Sequence, residues 1–318
     1  FKQKTAYEIS LGLVGSEMCI RDRVRGAGAN PDCGLADIER LSKEQLLVGF
    51  LEPLSAPAMI KALSDRYTTS CAMEFIPRTS RAQNMDALSS QANIAGYKAA
   101  LIAAEYLPRL FPMMMTAAGT ITPAHVFVIG AGVAGLQAIA TCKRLGAVIQ
   151  GYDVRPAVKE QVQSVGGRFV ELELDTSESE GSGGYAQSMD EQFYLKQREM
   201  MARVVSLNDV VITTAAIPGK QAPVLVTEDM VKTMKPGSVV IDLAAERGGN
   251  CEITTPGKTI VKYDVTIVGE FNLPSTVPFH ASQMLSLIHI SATTRPRLNS
   301  YAVFCLKKKR GGGGGGGG

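Results

Sequence analysis

The stretch HVFVIGAGVAGLQAIATCKRLGAVIQGYDVRP, residues 125–156, decides the fold. HVFVIG is a short apolar run, rich in β-branched residues, that ends on Gly130; VAGLQAIATCKRLG has helical spacing with Gly146 as its stop. The reading is strand, tight turn, helix. In the turn, Gly130, Gly132 and Gly135 stand at G-x-G-x-x-G spacing. Such glycines permit the turn, the approach of a pyrophosphate and close helix-to-strand packing, and the helix start offers main-chain N–H groups to phosphate. A second strand, AVIQGYD, ends on Asp153, 23 residues after Gly130. A carboxylate there accepts from both hydroxyls of an adenosine ribose and repels a 2′-phosphate. The glycine motif alone also fits a turn with no ligand. Strand, helix, second strand and acidic terminus together point to a dinucleotide, and Asp153 to NAD(H) rather than NADP(H). Arg155 is expected along the pyrophosphate or in solvent.

The pattern continues outward. Pro156 starts a helix, AVKEQVQSV, stopped by Gly166 and Gly167. Strand RFVEL, helix DEQFYLKQREMMARVV, strand DVVITTA, helix TEDMVKTM, strand GSVVIDLA and strand VTIVG follow. This alternation predicts an α/β fold with a doubly wound parallel sheet of Rossmann type over residues 108–284. Residues 24–107 read as a partial N-terminal α/β domain, flavodoxin-like or Rossmann-like, lacking its first strands. It comprises strand LLVGFL, helix PAMIKALSD, strand TSCAMEF and a long linking helix over about residues 85–107. Between RFVEL and the next helix lies an acidic, glycine-rich insertion, residues 174–192, too polar to pack and too long for an ordinary connection. Its one aromatic residue before the helix, Tyr185, follows Gly183 and Gly184, where a hinged lid would carry it; an idle surface loop is the plainer alternative.

The two ends read differently. EMCIRDR (17–23) can be encoded as GAG ATG TGT ATA AGA GAC AG, whose reverse complement translates as LSLIHIS, the peptide at 285–291. One short DNA read on both strands gives both peptides, as a sequencing-library adapter would. Residues 1–23 and 285–318, with their octaglycine, are therefore expected to be translated adapter, a reading that resequencing across both junctions checks. The whole chain carries 33 basic and 30 acidic side chains; the ten basic and three acidic ones of the end segments leave 23 basic and 27 acidic in residues 24–284. The remaining core is mildly acidic and gives no support to nucleic-acid binding. Of six cysteines, Cys33, Cys71, Cys142 and Cys251 remain, scattered and without a C-x-x-C, so neither a disulfide frame nor a metal site is expected. No apolar run approaches the roughly 20 residues of a membrane span, and YLPRLFPMMMTAAG (106–119) is short and interrupted by proline.

Histidine is scarce: outside the suspect tail only His125, at a strand entry, and His280 occur. A dehydrogenase acting on an alcohol or amino acid needs an acid/base beside the hydride path. Hydride passage between two nicotinamides needs none, and the protein's task is apposition and electrostatics. The segment IPRTSRAQNMDALSSQANIAGY (76–97) sets Arg78, Arg81, Gln83, Asp86 and Ser89 in a polar loop that opens the linking helix. Composition alone fits a capped helix start with solvated arginines; the functional alternative is a donor-rich loop over the nicotinamide end.

With these stretches in view, the chain resembles the NAD(H)-binding component, the alpha subunit or domain I, of proton-translocating NAD(P) transhydrogenase. PRTSRAQNMDALSSQANIAGY, VIGAGVAGLQAI, RPAVKEQVQS, GSGGYA, AIPGKQAPVLVT and VVIDLAAERGGNCE occur together and in the family's order, over about residues 25–284. The resemblance implies that Arg78, Gln83 and Asp86 form the family's Arg-Gln-Asp loop at the nicotinamide, with Thr79 and Ser80 beside it and Ser89 nearby. It implies that Ala131, Gly132 and Val133 cradle the pyrophosphate beside Gly130 and Gly135, and that Asp153, Val154 and Arg155 line the adenosine side. Gly184, Tyr185 and Ala186 match the tip of a mobile loop, and Gln197 and Ala216 complete the pocket. The residues alone would pass Gln197 as a solvated helix face and Ala216 as a strand end.

By the same resemblance the component is a homodimer whose NAD(H) meets NADP(H) on a partner domain, in the beta subunit with its membrane domain. Hydride transfer is direct and Si-specific and is coupled to proton translocation. The location implied is peripheral, on the cytoplasmic face of the bacterial inner membrane or the mitochondrial matrix side, and the fragment alone is expected to be inactive. An NAD-dependent alanine dehydrogenase acting on pyruvate and ammonia shares fold and fingerprint, and a non-catalytic NAD(H)-binding module is a third class.

Overall fold

The computed structural model describes residues 34–43, 45–77, 79–80, 82–171, 191–216, 220–293 and 305–306. In chain order the elements begin with α1 (Gly34–Glu39), β1 (Leu46–Gly49), α2 (Pro57–Asp65) and β2 (Thr69–Ala72). Single 3-10 turns at Met73–Phe75 and Gln83–Met85 lead into α3 (Ala87–Tyr106). Then come β3 (Met114–Thr116), β4 (Gly119–Ile121), β5 (His125–Ile129), α4 (Val133–Arg144), β6 (Val148–Tyr152), α5 (Lys159–Ser164) and β7 (Arg168–Phe169). The rest are α6 (Glu191–Leu207), β8 (Val210–Thr213), α7 (Glu228–Thr233), β9 (Val239–Asp242), β10 (Thr259–Lys262), β11 (Val265–Val268), α8 (Pro278–Thr293) and β12 (Cys305–Leu306).

The chain divides into two compact units. One takes the residues up to Ser90 together with those from Pro278 on; the other is Gln91–Val277. In the first, β1 pairs parallel with β2 and β12 pairs antiparallel with β2. Pro57 at the start of α2 gives up no helical hydrogen bond. Leu51, Leu63 and Ala72 pack with Ile38 of α1, while Phe50, Met73, Met85 and Leu285 form a second apolar cluster.

The second unit is built on a seven-stranded sheet in the order β10-β11-β9-β8-β5-β6-β7. From β7 to β11 every pairing is parallel; β10 adds an antiparallel edge. Counted from β5, the parallel strands lie in the order 3-2-1-4-5-6, that of a dinucleotide-binding doubly wound sheet. The strands carry apolar residues on both faces because helices cover both. Val126, Val128, Ile212 and Ile241 face α3 and α4, meeting Ala99, Ala103, Ala138 and Ile139. Phe127, Ile129, Val211 and Val240 face α6 and α7, meeting Met201, Val205, Met230 and Val231. Local signals end the helices as expected: Gly146 after α4 and Gly166 after α5 both take positive φ. Thr227 caps α7 by accepting from Met230 N–H.

Several expected elements differ in extent. β2 stops at Ala72, where the chain tightens into the 3-10 turn, and β7 is two residues long. The proline-interrupted segment after α3 holds an unforeseen hairpin, β3 against β4, whose residues are exposed throughout and therefore carry no in-out alternation to read. Among the described residues no helix is long and apolar enough to cross a membrane.

Candidate nucleotide-binding site

The sheet order reverses between β5 and β8, and the crevice beyond their carboxyl ends is where such a sheet holds a ligand. Gly130, just past β5, has φ +91°, and its N–H donates to Tyr152 carbonyl at 2.8 Å. Its carbonyl accepts from Thr214 Oγ1, just past β8, at 2.7 Å. A Cβ on Gly135 would lie 1.9 Å from Gly130 carbonyl oxygen, so α4 starts in backbone contact with the turn. Gly96 does the same from α3: a Cβ there would lie 2.1 Å from Ala134 carbonyl oxygen. Gly132 is different. A Cβ on it would meet nothing within 4 Å, and α4 begins there without a side-chain cap. Open space before uncapped first-turn N–H groups of Val133 and Ala134 fits a pyrophosphate.

Asp153 ends β6 with a side chain 5% exposed. Its Oδ2 accepts Ala131 N–H at 2.8 Å, tying the end of β6 to the glycine turn. Arg155 lies neither in solvent nor along a phosphate path, the two places its sequence position suggests. It donates to the same carboxylate through Nε (2.9 Å, to Oδ1), Nη2 (2.8 Å, to Oδ2) and its main-chain N–H (3.0 Å, to Oδ1). The reason is proximity: a turn at Val154 returns the arginine over the residue two before it.

Gln197 is wholly buried on α6. Its Nε2 donates to Tyr152 hydroxyl at 2.9 Å, and its Oε1 is left without a partner, an acceptor open to a ligand donor. Burial pushes the Tyr152 phenol up to about 12, with the Gln197 hydrogen bond pulling against it. Ala216, exposed, follows Ala215, which Asn250 holds by both main-chain groups. Asn250 is placed in turn by Asp242 at the end of β9: Oδ2 accepts Asn250 N–H (2.8 Å), Cys251 N–H (3.0 Å) and Thr254 Oγ1 (2.8 Å), and Oδ1 accepts Thr213 Oγ1 (3.1 Å). Sequence reasoning missed Asp242 and Asn250; the signal was a polar residue closing an apolar strand and the GGNC turn after it.

In the other unit, Asp86 caps α3: its Oδ1 accepts Ser89 N–H at 2.9 Å and its Oδ2 accepts Ser89 Oγ at 2.6 Å. Gln83, Thr79 and Ser80 are exposed in the turns before it. Arg78, Arg81, Gly184, Tyr185 and Ala186 lie outside the described residues.

Fold and crevice define the class, an NAD-binding domain of Rossmann type. Comparison narrows it. The family profile for the alanine dehydrogenase/PNT C-terminal domain matches residues 99–303, and that for the N-terminal domain matches residues 32–95. In Rhodospirillum rubrum, where the NAD(P) transhydrogenase alpha subunit is divided, its first portion is 52% identical over 254 residues, 80% of this chain and 66% of that protein. NAD(P) transhydrogenase subunit alpha of Haemophilus influenzae is 47% identical over 250 residues, 78% of this chain and 48% of that protein. A crystal structure of transhydrogenase from Sinorhizobium meliloti superposes with a TM-score of 0.74 at 40% identity, covering 86% of this chain and 76% of that one. The chain belongs to the alanine dehydrogenase/PNT family, with transhydrogenase alpha subunits as close homologues. It spans 66% and 48% of the lengths of these two relatives.

Proposed function

We propose that the chain is the NAD(H)-binding component of a proton-translocating NAD(P) transhydrogenase, exchanging hydride directly between NAD(H) held here and NADP(H) held by a partner domain. The observation that carries the reading is the switch-point crevice, with room at Gly132 for a pyrophosphate and the Asp153 carboxylate at the end of the next strand. The chemistry of these donors fits NAD(H), which when bound supplies the hydride. Val133 and Ala134 offer main-chain N–H groups to the pyrophosphate, and Asp153 accepts from the adenosine ribose. Gln197 offers its unpartnered oxygen, and Asn250 fixes the main chain that leads to Ala216. Arg78, Thr79, Ser80, Gln83, Asp86 and Ser89 make the loop at the nicotinamide end, and Gly184 and Tyr185 the tip of a loop that closes and excludes water. The one histidine of residues 91–277, His125, begins β5, at the opposite end of that strand from Gly130. A transfer that needs no proton at the reacting carbon fits that placement.

The proposal includes a homodimer, docked peripherally on a membrane domain at the bacterial cytoplasmic or mitochondrial matrix face and inactive without its partner. The test is single-turnover reduction of an NADP analogue by NADH on mixing the chain with a transhydrogenase NADP(H)-binding domain. Transfer only when both are present is expected. NADH oxidation driven by pyruvate and ammonium would instead assign an alanine dehydrogenase, and binding with neither reaction a non-catalytic module.

A further inference from the structure

The Asp153 carboxylate accepts four hydrogen bonds: from Ala131 N–H, from Arg155 N–H, and from Nε and Nη2 of the Arg155 guanidinium. A carboxylate offers about four lone-pair positions, so the ligand-free group is filled. Two of its bonds come from main chain fixed by the turns. The other two come from a side chain and are the ones that ribose hydroxyls can replace. Arg155 is thus released when a ribose docks. Its guanidinium is a planar fork that matches a phosphate as well as a carboxylate, and it sits two residues past the strand end, near where NADP-binding sheets of this type carry an arginine.

We propose that Arg155 is a specificity-determining residue of the adenosine subsite, a 2′-phosphate receptor that Asp153 keeps occupied and shields with its own negative charge. The inference rests on the nucleotide-binding reading above. In the wild-type chain a 2′-phosphate must both take the guanidinium from the carboxylate and sit beside that carboxylate. With the charge at position 153 removed, the guanidinium passes to the phosphate and nucleotide preference turns toward NADP(H).

The experiment is calorimetric titration of the full chain with NADH and with NADPH, in wild type, Asp153→Asn, and Asp153→Asn combined with Arg155→Ala. Asparagine retains an oxygen for Ala131 N–H; the same series in Asp153→Ser serves if it fails to fold, as judged by circular dichroism. Loss of the charged acceptor and gain of a charge-assisted phosphate contact should shift the NADPH-to-NADH affinity ratio by roughly 100-fold in Asp153→Asn. Adding Arg155→Ala should then abolish the NADPH gain. A gain that survives Arg155→Ala would show relief of repulsion alone and overturn the inference, as would no gain in Asp153→Asn. A wild-type chain that binds neither nucleotide would overturn the nucleotide-site reading itself, and this inference with it.

Discussion

Asn250 holds Ala215 from both sides of its peptide frame: Oδ1 accepts Ala215 N–H at 3.0 Å and Nδ2 donates to Ala215 carbonyl at 2.8 Å. Nδ2 also donates to Pro223 carbonyl at 2.8 Å. One fully buried amide therefore fixes the main chain past β8, on the wall of the crevice that faces the glycine turn across the Thr214–Gly130 bond. Asn250→Ala would leave these main-chain groups unpaired, at a cost of about 1–3 kcal/mol. For a chain of this size that lowers Tm by roughly 2–4 °C per kcal/mol. NADH affinity should fall with it. Scanning calorimetry and NADH titration check both; a variant as stable as wild type would mean that water or neighbouring groups replace the amide.

Two glycines of one motif should separate folding from binding. Gly132→Ala adds a methyl where nothing lies within 4 Å and φ is −71°, so Tm should stay close to wild type. NADH affinity should drop about tenfold or more, since the methyl fills the pyrophosphate's space. Gly135→Ala drives a methyl to 1.9 Å from Gly130 carbonyl oxygen, an overpacking worth about 1–3 kcal/mol or more. Equal effects of the two changes on Tm would contradict the division.

Stability should decline at alkaline pH for an identifiable reason. Burial pushes the thiols of Cys142 and Cys251 from 9.0 up to about 12 and about 11, and the Tyr152 phenol from 10.0 up to about 12. All three are neutral in the native chain, whereas in the unfolded chain they begin to ionise near those lower values. Their contribution is therefore complete below about pH 9 and is lost progressively toward pH 12. Tyr152→Phe removes the phenol's share, so its Tm should fall less steeply than wild type above about pH 10. Parallel pH profiles for the two proteins would remove Tyr152 from this explanation.

Tyr185→Ala should slow hydride transfer more than it weakens NADH binding, because a lid residue acts in the closed state. Stopped-flow transfer with the partner domain measures the first and calorimetry the second. An unchanged transfer rate would take Tyr185 out of the lid.

What could be read in advance was local in the chain. The glycine turn, α4, the acidic end of β6 and the stop at Gly166 each rest on signals within a few residues, and the structure shows them there. The grip of Asn250 on Ala215 spans 35 residues and that of Asp242 on Thr213 spans 29, and no periodicity announces either. Gln197 looks solvated in sequence because its neighbours on α6 are charged, yet the helix turns it inward onto Tyr152. The Asp153–Arg155 pair was close enough in sequence to foresee, but side-chain direction past a strand end depends on the turn, which residue spacing does not specify. β10 and the exposed β3–β4 hairpin lack the helix-strand alternation that revealed the parallel strands.

The most direct measurement is a crystal structure of the chain with NADH. It should show the adenosine ribose hydroxyls on Asp153 in place of the Arg155 guanidinium, the pyrophosphate against Gly132 and the first turn of α4, and the nicotinamide ring open to a partner's nucleotide. A ribose seated away from Asp153, or a nicotinamide closed in against a bound amino acid, would contradict it.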